Sequence, residues 1–251
     1  MFCVLRKGHL ALALGALVFF VLFIFILWRG AAQPALETSM FLAEDGSLTI
    51  IIDPGHGGED GGAVAADGTV ESQINLEVAQ RLQEILVFLG REPVMTRDSD
   101  ISIYSEGAST LREKKVSDIR NRVEFVNSYP SAILLSIHQN SLPQAKSVHG
   151  AQAFCNQAEG GEALAAVIQD RLNQAVNLGN EKDAKVIDSS VYLMSHIQCA
   201  GVLVECGFLS NAEETALLKT GEHQTLLAIS VAAGLLSGIT ANVSAGTPSP
   251  G

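Results

Sequence analysis

Between residues 48 and 240 the chain alternates short apolar runs with longer amphipathic stretches. The runs LTIIID, AILLSIH and GVLVEC have the length and apolar content of buried strands, and the stretch 71–89 repeats its apolar residues at helical spacing. Gly90 follows that stretch at the position where a glycine commonly ends a helix. Strands separated by helices predict an α/β domain of three layers, with a mostly parallel or mixed central sheet flanked by helices.

The same patterns predict the remaining elements of this domain. Helices are expected over 113–127, 160–176 and 223–236. Strands are expected over EPVMTR, near 150–155 and in a run that ends at Leu193.

The first thirty residues differ in kind from the rest of the chain. After Arg6 and Lys7, the nineteen residues 10–28 are apolar or small and carry no charge, and Arg29 closes the segment. At ~1.5 Å rise per residue this segment spans about 28 Å, close to the roughly 30 Å hydrocarbon core of a bilayer. It predicts one N-terminal transmembrane helix within 1–29 that acts as a signal anchor, with a cleaved signal peptide as the open alternative.

The charges around the apolar segment predict its orientation. Two cations precede the segment and one follows it, so the N-terminus is expected in the cytoplasm and the remaining chain outside, tethered to the membrane. The mixed composition of 30–47 predicts a linker, and the Ser-, Gly- and Pro-containing end over 241–251 predicts a disordered tail. The folded domain is expected over 48–240.

Composition excludes one class of partner. The formal net charge is -11, whereas binding to nucleic acid requires clustered lysine and arginine. Four cysteines are present without the paired spacing of a disulfide framework or a thiolate metal site, and they are expected to be structural or free thiols: Cys3, Cys155, Cys199 and Cys206.

Three strand-like runs end in residues that can bind a metal or move a proton, namely His56, His138 and Glu205. If these strands are neighbours and run the same way, their ends meet at one edge of the sheet, where open α/β sheets place their active sites. A catalytic zinc takes three nitrogen or oxygen ligands and leaves one position for water. The two histidines would supply two of those ligands.

The third ligand of such a site should be a carboxylate. Glu71 is the candidate because it opens the first helix directly after the glycine-rich loop that starts at His56, whereas Glu77 and Glu84 lie further along a helix whose far end points away. Glu205 would take a proton from the zinc-held water and pass it to the leaving amine. From the residues alone, this zinc site and a pair of structural histidines remain open alternatives.

Six ordered blocks then resemble a single family. IIIDPGHGGEDGGA, ESQINLEVAQRLQEIL, VMTRD, IRNRVEFVN, SIHQNS and VLVECGFLSN resemble the zinc-dependent N-acetylmuramoyl-L-alanine amidases of the type 3 amidase family, over 48–238. The resemblance implies that His56, Glu71 and His138 bind Zn²⁺ and that Glu205 is the catalytic carboxylate. It also implies that the substrate is peptidoglycan, cut at the amide between the muramoyl lactyl group and L-alanine.

Within that family the chain is most similar to the spore-cortex amidases of endospore-forming bacteria, through REKKVSDIRNRVEFVNS, the N-terminal apolar segment and the lack of an added wall-binding domain. In that subgroup stem peptides are removed so that a deacetylase can form muramic δ-lactam, which implies a site of action at the forespore or spore cortex. Ordinary elements account for the residues between His138 and Glu205, where division amidases carry a blocking helix. An activating lipoprotein, as in some clostridial relatives, is therefore a hypothesis for the partner.

Two residues next to the second histidine carry a smaller expectation. Asn140 and Ser141 follow His138 and are expected to bind substrate or orient a ligand, with a turn-forming role as the alternative. Asp53 is expected to hold the loop of His56 or to support a ligand.

Two arginines on the helix 113–127 leave alternatives open. Arg120 and Arg122 are two residues apart and should face differently, and either a clamp for stem-peptide carboxylates or a solvated or salt-bridged helix face fits them. His149, His196 and His223 lack a matching partner in the sequence and are expected to be structural.

Two other functions compete with the amidase. The first is a catalytically silent wall-binding or scaffold protein, which would have no use for Glu205. The second is another zinc hydrolase that acts on wall peptides or N-acetyl groups, and the products formed from defined muropeptides would distinguish it.

Overall fold

The computed structural model describes residues 48–245. Its core is one six-stranded sheet with the order β2-β1-β3-β6-β4-β5. The strands are β1 (Thr49–Pro54), β2 (Val94–Met95), β3 (Ala132–Asn140), β4 (Gln152–Cys155), β5 (Lys185–Val186) and β6 (Ala200–Phe208). β2, β1, β3 and β6 are parallel, whereas β4 runs antiparallel to β6. The predicted α/β fold with a mixed sheet is confirmed.

Helices flank both faces of the sheet. They are α1 (Glu71–Phe88), α2 (Leu111–Asn127), α3 (Gly161–Ala175), α4 (Tyr192–His196), α5 (Ala212–Leu218) and α6 (Gly221–Ala245). α1 and α3 both pack against α6, and the three helices share one apolar cluster with the sheet. α2 packs against α4, and their apolar residues form a second cluster on the opposite face.

The boundaries of α1 follow from its sequence. Four apolar residues at helical spacing are buried against the sheet, each contributing ~1.5–3 kcal/mol: Ile74, Val78, Leu82 and Leu86. After the helix, Gly90 adopts a left-handed φ of 75°. This turn lets the Arg91 N–H donate to the carbonyl oxygen of Leu86 at 2.9 Å, the bond that closes a Schellman motif. The predicted end of the helix is confirmed to within one residue.

The run ending at Leu193 is not a strand, and this prediction was wrong. Only Lys185 and Val186 pair, as β5, and Leu193 lies inside the short helix α4. Its side chain is buried in the cluster between α2 and the sheet. Over so few residues, apolar content cannot separate a buried strand from a buried helical turn.

The C-terminal part also differs from the expectation. The short helix α5 was not predicted, and α6 continues to Ala245, so the expected tail boundary at 241 falls inside a helix. In the part of the chain that the structure describes, we find no helix with the length and apolar character needed to cross a membrane. The expected anchor over 1–29 and linker over 30–47 lie outside the described residues.

Candidate active site

The parallel strands β1, β3 and β6 are neighbours, so their carboxyl ends meet at one edge of the sheet. His138 on β3 lies directly beside Glu205 on β6, and β1 ends at Pro54, two residues before His56. The predicted convergence of the three runs is therefore confirmed.

Three donor groups form a compact cluster at this edge. The ligand atoms of His56, Glu71 and His138 lie within 4.8 Å of one another. Oε1 of Glu71 is 3.0 Å from Nδ1 of His138 and 3.4 Å from Nε2 of His56. Two imidazoles and one carboxylate are the donor set of several catalytic zinc sites, so the residues present fit that ion. The alternative Glu77 instead contacts Gln224, and the alternative Glu84 is exposed.

His138 reaches the cluster directly from its strand. The pairing of β3 with β6 becomes irregular just after it, between His138 and Asn140, and such bulges often re-aim side chains beside active sites. Gly55 lies against the ring, because a Cβ at residue 55 would overlap the imidazole of His138. The absence of a side chain at residue 55 therefore makes room for the ligand.

Glu71 is held by several donors around its carboxylate. The Ala63 N–H donates to Oε2 at 2.8 Å, and the Gln139 N–H and the Asn75 amide donate to Oε1 at 3.2 and 3.3 Å. Burial alone would raise the pKa of Glu71, but hydrogen bonds with His138 and His56 outweigh burial and hold that pKa well below its ordinary value. The group is therefore a carboxylate at neutral pH.

His56 has an unusual backbone and a carboxylate partner. Among residues 48–245 it is the one non-glycine residue with a positive φ, at 61°. Its Nδ1 is 2.9 Å from Oδ2 of Asp60, which in turn pairs with Lys115 at 2.7 Å. Such a carboxylate fixes the tautomer of a metal-binding histidine, and it leaves Nε2 facing Glu71.

Asp60 was missed in the sequence analysis, although it stands inside the block GHGGED. Burial lowers the pKa of His56, but Asp60 and Glu71 outweigh burial and raise that pKa to about 9. Because a ligand imidazole must be deprotonated, metal binding at this cluster should release a proton near neutral pH.

Glu205 has the features of a general base. Its Oε2 is buried without a hydrogen-bond partner in the described part of the chain. Burial raises the pKa of Glu205 to about 7; His138 and His56 lower it and the nearby Glu71 raises it further. An unpartnered carboxyl group beside a ligand cluster, with a pKa near neutrality, is a candidate for proton transfer.

Asp53 and Arg122 form a buried ion pair behind the site. Asp53 accepts hydrogen bonds from Arg122 at 2.5 Å, Thr96 at 2.6 Å and Ser136 at 2.7 Å. Burial would raise the pKa of Asp53, but the charge of Arg122 and the two hydroxyl groups outweigh burial and lower that pKa to about 2. The salt-bridged alternative is thus the right one for Arg122. Arg120 is exposed on the same helix, so the two arginines do face differently.

The other predicted residues lie outside the cluster. The side chain of Asn140 accepts the N–H of Ser141 at 2.8 Å, a local turn contact, and a role of either residue in substrate binding stays a prediction. His196 is exposed and stacks on Tyr192 with ring centroids 3.7 Å apart. The three cysteines in the described part of the chain are free thiols, as expected: Cys155, Cys199 and Cys206.

A cavity of about 940 Å³ lies among loops at the same end of the sheet. Its lining comes mainly from 65–67, 146–150, 176–180 and 209–215, together with His223, and includes none of the three cluster ligands and not Glu205. We therefore assign the chemistry to the cluster and not to this cavity.

Comparison with known proteins finds one family over most of the chain. The model of the N-acetylmuramoyl-L-alanine amidase family matches residues 50–237. The germination-specific N-acetylmuramoyl-L-alanine amidase of Bacillus subtilis is 38% identical over 189 residues, 74% of this chain and 78% of that protein. The amidase LytC of the same organism is 32% identical over 192 residues, 75% of this chain but 35% of LytC.

Among solved structures, the CwlD amidase of Clostridioides difficile, determined in complex with the GerS lipoprotein, has a TM-score of 0.73 and 33% identity. The match covers 76% of this chain and 98% of CwlD.

Proposed function

The chain belongs to the N-acetylmuramoyl-L-alanine amidase family and hydrolyses amide bonds of peptidoglycan, and we propose that His56, Glu71 and His138 hold a zinc ion beside Glu205. One observation carries this proposal: a single oxygen of Glu71 reaches both imidazoles, and Glu205 lies next to His138. When bound, zinc would supply Lewis acidity toward water and the amide carbonyl.

Residues of the chain transfer the proton and orient the ligands. Glu205 accepts the proton of the attacking water and delivers it to the leaving amine of L-alanine. A pKa of about 7 suits both transfers, because the group can be unprotonated before the attack and can release the proton afterwards. Asp60 holds Nδ1 of His56, so that the ring presents Nε2 to the ion.

Metal content and metal dependence test the ligand assignment. The purified protein should contain one zinc ion per chain, lose activity on chelation and regain it with added zinc. At a zinc concentration of ~100 Kd, the free energy of unfolding should rise by about 2.7 kcal/mol. The Glu71→Gln protein should lack this rise, whereas Glu84→Gln on the same helix should keep it. A metal-free protein that is active and indifferent to chelators contradicts the proposal.

We further propose that the substrate is spore-cortex peptidoglycan, from which the enzyme removes stem peptides before a deacetylase forms muramic δ-lactam. The identity with the germination-specific enzyme of B. subtilis supports this role. The purified enzyme should release intact stem peptides from the lactyl group of cortex-type and vegetative muropeptides. Mass spectrometry of the digests identifies the products. Loss of acetyl groups or cuts within the peptides would favour another zinc hydrolase. Binding to sacculi with no products, by wild type and Glu205→Ala alike, would favour a silent scaffold.

We also propose that residues 1–29 anchor the enzyme in the membrane with the catalytic domain outside, and that a lipoprotein activates it. The apolar run 10–28 supports the anchor, and the structure of CwlD with GerS supports the partner. Mass spectrometry of the N-terminus from membrane fractions should find it intact. Extracts of sporulating cells should raise the activity of the purified protein, and extracts depleted of lipoproteins should not.

A further inference from the structure

Two buried arginines bind the backbone of the loop that carries His56. β1 ends at Pro54, so the carbonyl oxygens that follow need partners outside the sheet. Arg122 donates to the carbonyl oxygens of Pro54 at 2.9 Å and His56 at 2.7 Å. Arg97 donates to those of Pro54 at 2.9 Å and Gly55 at 3.0 Å. Three consecutive carbonyl groups are therefore fixed by guanidinium groups.

These bonds surround the strained residue of the site. A left-handed conformation at a residue with a Cβ costs ~1–2 kcal/mol and persists only where its surroundings hold it. His56 has this conformation, and the bonds to its own carbonyl oxygen and to the two before it fix the chain on entering and leaving residue 56. The direction of the imidazole depends on that backbone.

Arg97 also connects two of the segments that carry proposed ligands. The same Nη2 that binds the carbonyl oxygen of Gly55 donates to that of Ser72 at 2.9 Å, in the first turn of α1 and next to Glu71. Its fourth bond goes to the carbonyl oxygen of Ser99 at 2.9 Å, so each hydrogen bond that the structure gives Arg97 ends on the backbone. A guanidinium buried to 3% exposure is costly for a fold when no carboxylate is bonded to it. An apolar side chain would avoid that cost but could not join the loop to the helix.

We propose that Arg97 and Arg122 are positioning residues, which hold His56 in its left-handed conformation and at a fixed place relative to Glu71, and so set the metal affinity of the cluster. This inference rests on the proposed zinc site. Arg97 holds the loop against α1, whereas Arg122 holds it against α2 and is kept in place by Asp53 and Asp118.

Zinc affinity of the full-length protein tests the inference. The variants Arg97→Lys and Arg122→Lys keep the positive charge but cannot make the same set of bonds. The exposed Arg120→Lys on α2 is the matched control. Zinc dissociation constants from competition with a chromogenic chelator should rise about 10- to 100-fold in the two buried variants and stay within twofold of wild type in the control. The visible absorption of the cobalt-substituted protein, which reports coordination geometry, should change in the same two variants.

The outcomes separate this inference from the zinc site itself. A wild-type protein that binds no zinc overturns both. If wild type binds zinc and a folded Arg97→Lys or Arg122→Lys protein binds it within twofold of wild type, only the positioning role falls. A purely structural role predicts a lower unfolding temperature of the metal-free variants with unchanged zinc affinity. If either Arg97→Lys or Arg122→Lys does not fold, the zinc affinity of the other variant tests the positioning role.

Discussion

The two faces of the central sheet carry different side chains. On the face covered by α1, α3 and α6, the strands β1, β3 and β6 present apolar residues to one large cluster: Ile50, Ile52, Ile133, Leu135, Ile137, Val202 and Val204. On the face covered by α2 and α4, the same strands carry apolar residues first and polar residues toward their carboxyl ends: Asp53, Ser136, His138 and Glu205. Because successive side chains of a strand point to opposite faces, each strand contributes apolar residues to the core on one face and polar residues to the site on the other.

The apolar face mainly stabilises the fold, whereas the polar face carries the groups of the proposed active site. The apolar face gains free energy from burial, whereas the polar face holds a buried ion pair and ionisable groups whose desolvation costs free energy. Changes on the first face should therefore reduce stability and leave the site intact. Changes on the second should alter the site, and those that leave a buried charge unpaired should also reduce stability.

The largest effect is expected at Glu205 on the polar face. Glu205→Gln keeps the shape but cannot accept a proton, so the rate of stem-peptide release should fall about 10²- to 10⁴-fold. Zinc affinity and unfolding temperature should be retained, because no hydrogen bond of Oε2 is lost. Chromatography with mass spectrometry measures the release, and the exposed Glu84→Gln serves as control. More than a tenth of wild-type activity in Glu205→Gln would count against its role.

A matched pair on β3 tests the apolar face. Leu134 and Leu135 are both fully buried but lie in opposite clusters. Leu135→Ala should lower the free energy of unfolding by about 2–5 kcal/mol while zinc affinity stays within twofold. Leu134→Ala should cost less stability, because partly exposed neighbours can collapse into the smaller cluster, and it should weaken zinc binding more. Urea unfolding and chelator competition measure both, and equal effects of the two variants would contradict the division between the faces.

Acid should lower the free energy of unfolding by protonating Asp53 on the polar face. The folded-state pKa of about 2 lies below the ordinary value of 3.8, so this contribution is complete above pH 4 and disappears as the pH falls toward 2. A shift of this size corresponds to about 2 kcal/mol. Urea unfolding of the metal-free protein between pH 5 and 2 should show a shallower pH dependence in Asp53→Asn than in wild type. Identical slopes would rule out this linkage.

The smallest effect is expected at Asn140, at the end of β3. Its side chain accepts the N–H of its neighbour Ser141, and a single hydrogen bond of this kind contributes about 1 kcal/mol. Asn140→Ala should therefore change kcat/KM less than about fivefold. A tenfold rise in KM with unchanged kcat would instead indicate direct substrate binding, and steady-state kinetics on a defined muropeptide distinguishes the two.

Strands and helices could be predicted from the sequence where the hydrophobic pattern fits only one kind of element. β1, β3 and β6 are continuous apolar runs that end in His56, His138 and Glu205 or close to them. The expectation that these residues meet at one edge rested on the condition that the strands are neighbours and run the same way, which the structure meets. Glu71 followed from its position at the start of α1. Short elements such as α4 and α5 were not predicted correctly, because a few apolar residues fit either kind of structure.

The network behind the ligands could not be predicted, because its contacts span large separations in the chain. Arg97 bonds to Gly55 and Ser72, and Arg122 bonds to Asp53 and His56. Nothing in the sequence around VMTRD indicates that the side chain of Arg97 donates its hydrogen bonds to backbone carbonyl oxygens and not to a carboxylate. Such pairings depend on the three-dimensional placement of loops, whereas strands and helices depend mainly on local periodicity.

The alternation along β6 has one more consequence, which concerns sulfur chemistry. Cys206 follows Glu205 directly, yet its side chain points to the opposite face and is fully buried among apolar residues. Burial raises the pKa of this thiol, so it stays protonated and out of reach of oxidants and of metal ions. A sulfur atom can therefore lie next in sequence to the proposed proton acceptor without competing for the ion or forming mixed disulfides.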